Sequence, residues 1–325
     1  MSARALRWGL VGCGWIARDH VAPAMGRVQA VLDPDPARRA AIPGRPAVST
    51  DDLDAFLAAG LDAVYVATPN DQHRPLVEAC AAAGLPVLCE KPMATSLADA
   101  EAMVAACREH GVLYATAHNQ RFHPAHEALA ALVARGELGT VSQARIHYAC
   151  TAPPWWDAAD WHWDPARAGG GAVFDLAPHG LDLIGVLLGA DLVETTSLLQ
   201  RADPVEEGGV VVGRWTGDVL GIVQVSYACP ETLPRRTLEL VGTAGMARAL
   251  NTMGQDPGGT LEVIDAADGR ARPVPFDHGG DPFARELAAF ERAVCGEQPW
   301  PWPVRQDLAV MAALEDAVRP RGVPA

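Results

Sequence analysis

The feature that most constrains this chain is a glycine-rich turn between an apolar strand and a helix. Leu6–Val11 is an apolar run typical of a buried strand, and Gly12-Cys13-Gly14-Trp15-Ile16-Ala17 follows it directly. In a GxGxxA turn the first glycine permits the tight turn, the second lets the backbone approach a pyrophosphate, and the small third residue lets the helix pack on the strand. N–H groups at the start of the helix, near Trp15 and Ile16, then face the phosphates. The turn predicts a dinucleotide site.

An acidic residue follows the second predicted strand at the spacing that a ribose contact needs. Val28–Leu32 predicts a strand, and Asp33 ends it about 20 positions after the first glycine. A carboxylate there accepts a hydrogen bond from the ribose 2′-OH of NAD and repels the 2′-phosphate of NADP. Arg38 and Arg39 could bind that phosphate, although solvated helix charge explains them more simply. NAD is therefore the predicted cofactor, and NADP is the less favoured alternative.

The rest of the chain predicts two domains. Residues 1–122 alternate apolar strands with helices, which is typical of a doubly wound parallel sheet. Residues 123–325 contain an apolar helix at Ala172–Leu188, β-rich stretches from 192 to about 264, and two closing helices at Pro282–Cys295 and Val304–Val318. Glycine, proline and aspartate separate the β-rich stretches, so this part predicts a mostly antiparallel sheet in a second α/β domain.

Charge and composition exclude several classes of protein. Lys and Arg number 26 against 40 Asp and Glu, and this net charge of −14 argues against a nucleic-acid partner, because phosphate contacts need a basic face. We find no apolar run of the roughly 18 residues that a membrane span needs, so we expect no membrane partner. The seven cysteines are scattered without a CxxC pair. That pattern is typical of reduced thiols and predicts a cytoplasmic protein.

The cations are almost all arginine, and Lys91 is the single lysine. Either residue serves as a surface cation, but a site that moves a proton cannot use arginine, whose pKa is too high. Arg-rich coding bias with one chance survivor is the alternative explanation.

Two further patterns concern side chains that carry protons or bind metals. Asp175 and His179 are four residues apart on the predicted apolar helix, so they share one face and suit proton transfer; a helix-surface pair is the alternative. His123 and His126 superficially suggest metal ligands, but their spacing matches neither HExxH nor HxxEH. We interpret them as a helix start and predict no metal.

Several motifs occur together in one order along the chain, and in that order the sequence resembles the glucose–fructose oxidoreductase, inositol dehydrogenase and rhizopine catabolism (Gfo/Idh/MocA) family. The motifs after the GxGxxA turn are Thr68-Pro69-Asn70 with His73, Glu90-Lys91-Pro92, Asn119-Gln120-Arg121-Phe122, Gly169-Gly170-Gly171 and Asp175-x-x-x-His179. The resemblance covers essentially the whole chain. One departure is Ala177-Pro178, where the family has a glycine at the first of these positions, and it affects the shape of the pocket.

The resemblance implies an N-terminal Rossmann domain and a C-terminal α/β domain with an open antiparallel sheet. It further implies an NAD(P)-dependent oxidoreductase acting on CH–OH groups of a sugar, cyclitol or related polyol, which assembles as a homodimer or homotetramer through the sheet. A cofactor-sensing regulatory protein, or related chemistry on a non-sugar carbonyl, is the alternative on the same fold. The Lys91–Pro92 bond is often cis in the family.

The resemblance also assigns residues to the site. Those expected beside the cofactor are Thr68, Pro69, Asn70, His73, Glu90, Lys91 and Asn119. The resemblance implies that Lys91, His179 and Asp175 are catalytic. It leaves open whether Lys91 or His179 is the base. Arg121 is expected near the substrate, and the aromatic faces of Trp161 and Trp163 suit stacking on a sugar ring. Asp182 is a second choice for orienting the site.

Overall fold

The computed structural model describes residues 6–319. The chain forms two compact units, residues 1–118 with 283–304 and residues 119–282 with 305–325. The predicted domains, 1–122 and 123–325, differ from this division, and their ends at 1–5 and 320–325 lie outside the described residues. The segment 283–304 belongs to the first unit because its helix buries Phe283, Leu287 and Phe290 in the same apolar core as Trp8. The Nε1–H of Trp8 also donates to Glu291 Oε1 at 2.8 Å.

The first unit alternates strands and helices along the chain. Its strands are β1 (Trp8–Val11), β2 (Val28–Leu32), β3 (Val48–Thr50), β4 (Ala63–Val66), β5 (Val87–Glu90) and β6 (Tyr114–Ala117). Its helices up to β6 are a π-helical turn (Ala17–Val21) that continues into α1 (Ala22–Met25), then α2 (Pro36–Ala41), α3 (Leu53–Leu57), a 3₁₀ turn (Asn70–Gln72), α4 (His73–Ala82) and α5 (Leu97–Glu109). Aspartate or serine side chains cap several helices; Ser96 accepts from Asp99 N–H at the start of α5.

The strand order is β3-β2-β1-β4-β5-β6, and all neighbours are parallel. This confirms the predicted doubly wound sheet. The winding reverses direction between β1 and β4, and ligands of such sheets bind outside the carboxyl ends of the strands at that point. The glycine-rich turn, Asp33, Thr68 and Lys91 follow the carboxyl ends of β1, β2, β4 and β5, so the topology places them along one sheet edge.

The second unit is built on a larger sheet. Its strands are β7 (Val141–Ala149), β8 (Leu192–Ala202), β9 (Glu206–Trp215), β10 (Val219–Ser226), β11 (Arg236–Gly242), β12 (Gly245–Leu250), β13 (Thr260–Asp265) and β14 (Ala271–Pro273). The remaining helices of the chain are a 3₁₀ turn (Asn119–Phe122), α6 (Pro124–Ala134), a 3₁₀ turn (Trp161–Trp163), α7 (Pro165–Ala168), α8 (Ala172–Leu188), α9 (Pro282–Val294) and α10 (Val304–Val318), of which α9 lies in the first unit apart from Pro282.

The second sheet has the order β14-β13-β12-β11-β7-β10-β9-β8. Among the described strands of this sheet, only β7 and β10 pair in parallel, so the prediction of a mostly antiparallel sheet is confirmed. Helix α8 packs on one face, where a Cβ at Gly180 would lie only 2.7 Å from Val223 Cγ1. This close approach leaves the side chains on the opposite face, such as Ile222, turned away from α8.

The Gly169–Gly171 run is required by the start of α8. Gly169 has a φ of 85°, and a Cβ at Gly171 would lie 2.0 Å from Glu206 O. The close approach brings the buried Glu206 carboxylate to the helix N-terminus, where Oε1 accepts from the N–H groups of Val173 at 3.0 Å and Phe174 at 3.2 Å. An acidic group there satisfies free N–H groups and favours the helix dipole.

One helical segment is long and apolar enough to span a membrane by length and composition. It runs over Pro165–Leu188, and 78% of its most apolar window is buried inside the protein. The expectation that no apolar run is long enough to span a membrane is therefore corrected. Burial of this extent is typical of the core helix of a folded domain. That the protein has no membrane partner stays a prediction.

Two buried histidines begin α6, as the sequence predicts for a helix start. His123 Nδ1 accepts from Ala125 N–H at 3.1 Å, and its ring lies 4.8 Å from that of His126 between centroids. The second imidazole lies 2.8 Å from Gln120 O through Nδ1 and 3.0 Å from Thr252 Oγ1 through Nε2. Burial lowers the pKa of His123 to about 4 and that of His126 to about 3.

We expect these histidines to make stability depend on pH. Their folded-state pKa values lie below the unfolded value of about 6.5, so the stabilisation is present above that pH and is lost as pH falls toward 4 and 3. When the pH falls from 6.5 to 5, the free energy of unfolding should decrease by about 1–2 kcal/mol less for His126→Asn than for the native chain. Urea unfolding at the two pH values measures this. The exposed His110→Asn is the matched control, and an equal pH dependence in His126→Asn and the native chain would contradict the assignment.

Candidate active site

The glycine-rich turn leaves open space where a pyrophosphate would bind. Gly12 has a φ of 84°, and a Cβ there would lie 2.4 Å from Ala67 O, so the turn requires glycine. A Cβ at Gly14 would meet no atom within 4 Å. The helix starts here, because Arg18 N–H donates to Gly14 O at 2.9 Å. Trp15 is exposed and Ile16 half-buried beside the first helical N–H groups.

Asp33 is buried against this turn. Its Oδ2 accepts from Cys13 N–H at 2.8 Å, and its Oδ1 accepts from Asp35 N–H at 2.8 Å. Each carboxylate oxygen accepts two hydrogen bonds, so capacity for a ribose hydroxyl remains. Arg39 Nη1 donates to the backbone carbonyl of Asp33, while Arg38 is mostly exposed and 3.6 Å from Asp35 Oδ2. One carboxylate thus ties the ends of β1 and β2 together.

His73 joins two loops that follow β4 and β5. Its Nε2 lies 3.0 Å from Thr68 O, and its Nδ1 lies 3.1 Å from both Pro92 O and Met93 O. Burial lowers the pKa of His73, and the carbonyl contacts oppose that shift. The ring is buried in backbone contacts, so His73 positions Thr68, Pro69 and the Lys91–Pro92 segment. That His73 also contacts the cofactor stays a prediction.

Lys91 follows a fixed glutamate at the end of β5. The Tyr65 hydroxyl donates to Glu90 Oε1 at 2.8 Å, and Glu90 Oε2 accepts from Lys91 N–H at 3.1 Å. Burial, and then the Glu90 charge, raise the pKa of Tyr65 well above its ordinary value, so the phenol stays a donor. The Lys91–Pro92 bond is cis, as the resemblance implies. Lys91 is half-buried, and Asn70 is buried at the neighbouring strand end.

The second unit presents an acid and an imidazole on α8. The Tyr227 hydroxyl donates to Asp175 Oδ2 at 2.8 Å. His179 is buried, and its ring meets that of Tyr148 edge-on at 5.1 Å between centroids. Burial, followed by the Asp175 charge, raises the pKa of Tyr227 well above its ordinary value. Neither tyrosine was expected at the site from the sequence, where the only signal is a polar aromatic residue near the end of an apolar stretch: Tyr148 lies near the end of β7 and Tyr227 directly after β10.

An aromatic cluster surrounds Tyr227. Trp156 stacks on His162 at 3.6 Å between centroids and meets Tyr227 edge-on at 5.4 Å. Trp163 lies edge-on to the same tyrosine at 6.0 Å, and Trp161 stacks on His162 at 3.8 Å. The expected substrate residues Trp161 and Trp163 therefore belong to the cluster that supports the partner of Asp175. Trp156 is the centre of this cluster.

Two residues expected at the site have structural partners in the second unit. The Arg121 guanidinium is fully buried and donates to Asp182 at 2.9 Å through Nε and 2.6 Å through Nη2, and it also pairs with Asp307 at 2.5 Å. Burial opposes its charge, but the two carboxylates raise the pKa of Arg121 above its ordinary value. Arg121 thus forms an internal ion pair, and its expected position near the substrate stays a prediction. The buried Asn119 amide donates to Gly254 O at 3.5 Å.

Two family models match the chain. The one described as an oxidoreductase family with an NAD-binding Rossmann fold matches residues 6–118, and the GFO/IDH/MocA C-terminal domain matches residues 126–248. The chain belongs to the Gfo/Idh/MocA oxidoreductase family. As a Gfo/Idh/MocA protein it is an NAD(P)-dependent oxidoreductase. The first unit fits such a cofactor, because the Gly14 side of the turn is open at the carboxyl edge of its sheet.

Relatives of this Gfo/Idh/MocA protein include named sugar oxidoreductases. It is 34% identical to 1,5-anhydro-D-fructose reductase of Ensifer adhaerens over 94% of this chain and 96% of the relative. It is 33% identical to D-xylose 1-dehydrogenase (NADP(+)) 2 of Haloferax volcanii over 90% and 91%. The fold is shared with the aldose-aldose oxidoreductase of Caulobacter crescentus, with a TM-score of 0.85, 24% identity and 96% of each chain covered.

We expect Tyr227 to act on catalysis through Asp175. Tyr227→Phe removes the hydroxyl that holds the carboxylate at 2.8 Å, and we expect kcat to fall about tenfold with a smaller change in KM. Steady-state kinetics of Tyr227→Phe, Asp175→Asn and the double variant form a double-mutant cycle. The double variant should match Asp175→Asn alone. Losses that multiply independently would contradict the pairing, and Tyr114→Phe in the first unit is the matched control.

Proposed function

We propose that this enzyme transfers a hydride between NAD and a carbinol carbon of a small polyhydroxylated molecule, a sugar or cyclitol. The names of the relatives, an anhydrofructose reductase and a xylose dehydrogenase, support the substrate class. The observation that carries the proposal is the acid–imidazole pair on α8, with Asp175 held at 2.8 Å by Tyr227. When bound, the nicotinamide accepts or supplies the hydride. The chain's own residues then hold the substrate and move the hydroxyl proton.

Two groups can take that proton. An imidazole with an ordinary pKa of about 6.5 is the better base at neutral pH, and this favours His179. A lysine ammonium, ordinarily near pKa 10.4, then stabilises the developing negative charge on the substrate oxygen. Desolvation next to a second cation could lower a lysine pKa enough for Lys91 to act as the base itself. Both assignments require the Lys91 side chain at the substrate oxygen, as a hydrogen-bond donor in the first and as the group that takes the proton in the second.

We expect Lys91→Arg to abolish most turnover while leaving NAD binding largely intact. Arginine keeps the positive charge but cannot exchange a proton, so kcat should fall roughly 10²- to 10⁴-fold. Reduced-nicotinamide absorbance on a panel of sugars, cyclitols and sugar acids measures turnover, and calorimetry measures NAD binding. Arg108→Lys, at the exposed end of α5, is the matched control and should keep full activity.

The single lysine gives an independent form of the same test. An amine-selective reagent can modify only Lys91 and the N-terminus. Inactivation should track the Lys91 adduct and slow in the presence of NAD plus substrate. Full activity of Lys91→Arg, or of protein labelled completely at Lys91, would remove this residue from the mechanism.

The preference for NAD is supported by the position of Asp33. Its buried carboxylate lies at the end of β2, where a 2′-phosphate would have to lose solvent beside a negative charge. The two nearby arginines, which could bind a 2′-phosphate, contribute less to the choice of cofactor than this carboxylate does. Arg39 is hydrogen-bonded to the backbone carbonyl of Asp33, and Arg38 lies near Asp35.

We expect the native enzyme to bind NAD more tightly than NADP. Asp33→Asn keeps an oxygen that accepts from Cys13 N–H but removes the charge, so the ratio of the two dissociation constants should narrow about tenfold. Arg38→Ala is the matched neighbour and should leave the ratio unchanged. Titration calorimetry with NAD and with NADP measures the two dissociation constants. Tighter native binding of NADP, or a ratio that depends on Arg38, would contradict the assignment.

We also propose that the enzyme is a homo-oligomer formed through the open face of the second sheet, with a dimer as its smallest form. Leu220 and Ile222 project from β10 with 47% and 41% of their surfaces exposed, and Val212 lies directly opposite Ile222 on β9. Leu198, also exposed, extends the patch onto β8. A contiguous aliphatic sheet face favours burial against a second copy in a symmetric interface.

Light scattering should therefore give at least twice the 34.3 kDa mass of one chain. Ile222→Asp should shift the protein toward the monomer, because a carboxylate is unfavourable in an apolar interface. Leu233→Asp is the matched control, since Leu233 is 53% exposed but lies outside the strands. A native monomer at micromolar concentration would exclude the assembly.

A further inference from the structure

The second unit contains a cavity of about 270 Å³. Its walls come from the C-terminal half of α8, the segment that enters β8, the end of β9 and the first turns of α10. The side chains that line it are mainly aliphatic, including Leu181, Val186, Leu192 and Val310. An apolar cavity of about 150 Å³ holds benzene, and drug-sized ligands need roughly 300 Å³ or more. The volume therefore suits one substituted six-membered ring.

Two shielded polar atoms belong to residues that line this cavity. Nε1 of Trp215 is a donor and Oε1 of Gln306 is an acceptor, and neither has a hydrogen-bond partner among residues 6–319. Trp215 is only 1% exposed. Gly185 lines the same cavity, and a Cβ there would lie 3.6 Å from the indole nitrogen. A side chain at 185 would therefore lie against the indole nitrogen. Buried donors and acceptors are rarely left unpaired in folded proteins.

The charges around the cavity are balanced. Arg305 and Asp191 both line it and are largely exposed, with Nη2 and Oδ1 3.6 Å apart. The Asp182 carboxylate is held by both guanidinium donors of Arg121. No net charge is thus offered to a ligand by these groups. A sugar is disfavoured, because most of its hydroxyls would be buried against aliphatic walls without partners.

We propose that this cavity binds a small uncharged ring that carries one hydroxyl group, of the phenol class. The hydroxyl oxygen accepts a hydrogen bond from Trp215 Nε1–H, and the hydroxyl group donates a hydrogen bond to Gln306 Oε1. The ring packs on the aliphatic walls. The site uses none of the residues assigned to the cofactor or to proton transfer. It is therefore independent of the proposed sugar chemistry.

The test uses phenol and toluene as probes, because they differ only by a hydroxyl in place of a methyl group. The full chain is labelled with ¹⁵N-tryptophan, and Trp215→Phe identifies the Trp215 indole signal among the nine tryptophans. Phenol should shift that signal saturably with a dissociation constant near or below about 1 mM. Toluene should bind at least about fivefold more weakly.

Gln306→Met keeps the side-chain length but removes the acceptor, and it should lower phenol affinity to that of toluene. Gln224→Met, exposed on the opposite face of the same sheet, is the control and should bind phenol like the native chain. A shift that never saturates, equal binding of toluene, or unchanged phenol affinity in Gln306→Met would overturn the proposal.

If Trp215→Phe does not fold, a crystal of the native protein soaked in phenol gives the test. A ring with its oxygen within about 3.2 Å of both polar atoms supports the site, and water alone overturns it.

Discussion

The buried imidazole of His73 is the contact on which the cofactor side of this enzyme depends. It meets the carbonyls of Thr68, Pro92 and Met93, and so fixes the loops after β4 and β5 in relation to each other. Asp33 does the same for the ends of β1 and β2 through Cys13 N–H. A binding surface made of strand ends is only as well ordered as its loops. Both side chains hold backbone groups in place, and the Asp33 carboxylate keeps capacity for further hydrogen bonds.

The second unit follows the same principle on a helix. Glu206 holds the N-terminus of α8 through two backbone N–H groups, and Tyr227 holds Asp175 one turn later. The aromatic cluster centred on Trp156 packs against that tyrosine. Buried supporting contacts of this kind keep reacting side chains in one geometry, which lowers the entropic cost of catalysis. The glycines before α8 are needed because they let Glu206 approach the helix.

Local sequence patterns predict the elements well and the supporting contacts poorly. The bounds of β2, α8 and α10 coincide with the predicted ones, because apolar residues recur there at strand or helix spacing and the pattern ends at turn residues. The edge position of Asp33 and Lys91 follows from parallel topology. The Tyr227–Asp175 bond joins residues 52 positions apart, and the Arg121 pair with Asp307 spans 186. No local pattern encodes such pairings, so the sequence does not predict the ion pair of Arg121 or the three carbonyl contacts of His73. The grouping of 283–304 with the first unit was missed for the same reason.

Hydride transfer from a carbinol carbon is the reaction that we propose for this enzyme. Transfer of deuterium from that carbon to the cofactor tests it most directly. An aldose or cyclitol that proves active is supplied with deuterium on the carbon that is oxidised, and the cofactor is analysed by mass spectrometry after one turnover. If hydride is transferred, the deuterium is retained and the reduced cofactor gains about one mass unit. Release of the deuterium to water, with an unlabelled cofactor, would contradict hydride transfer and with it the roles given to Lys91 and His179.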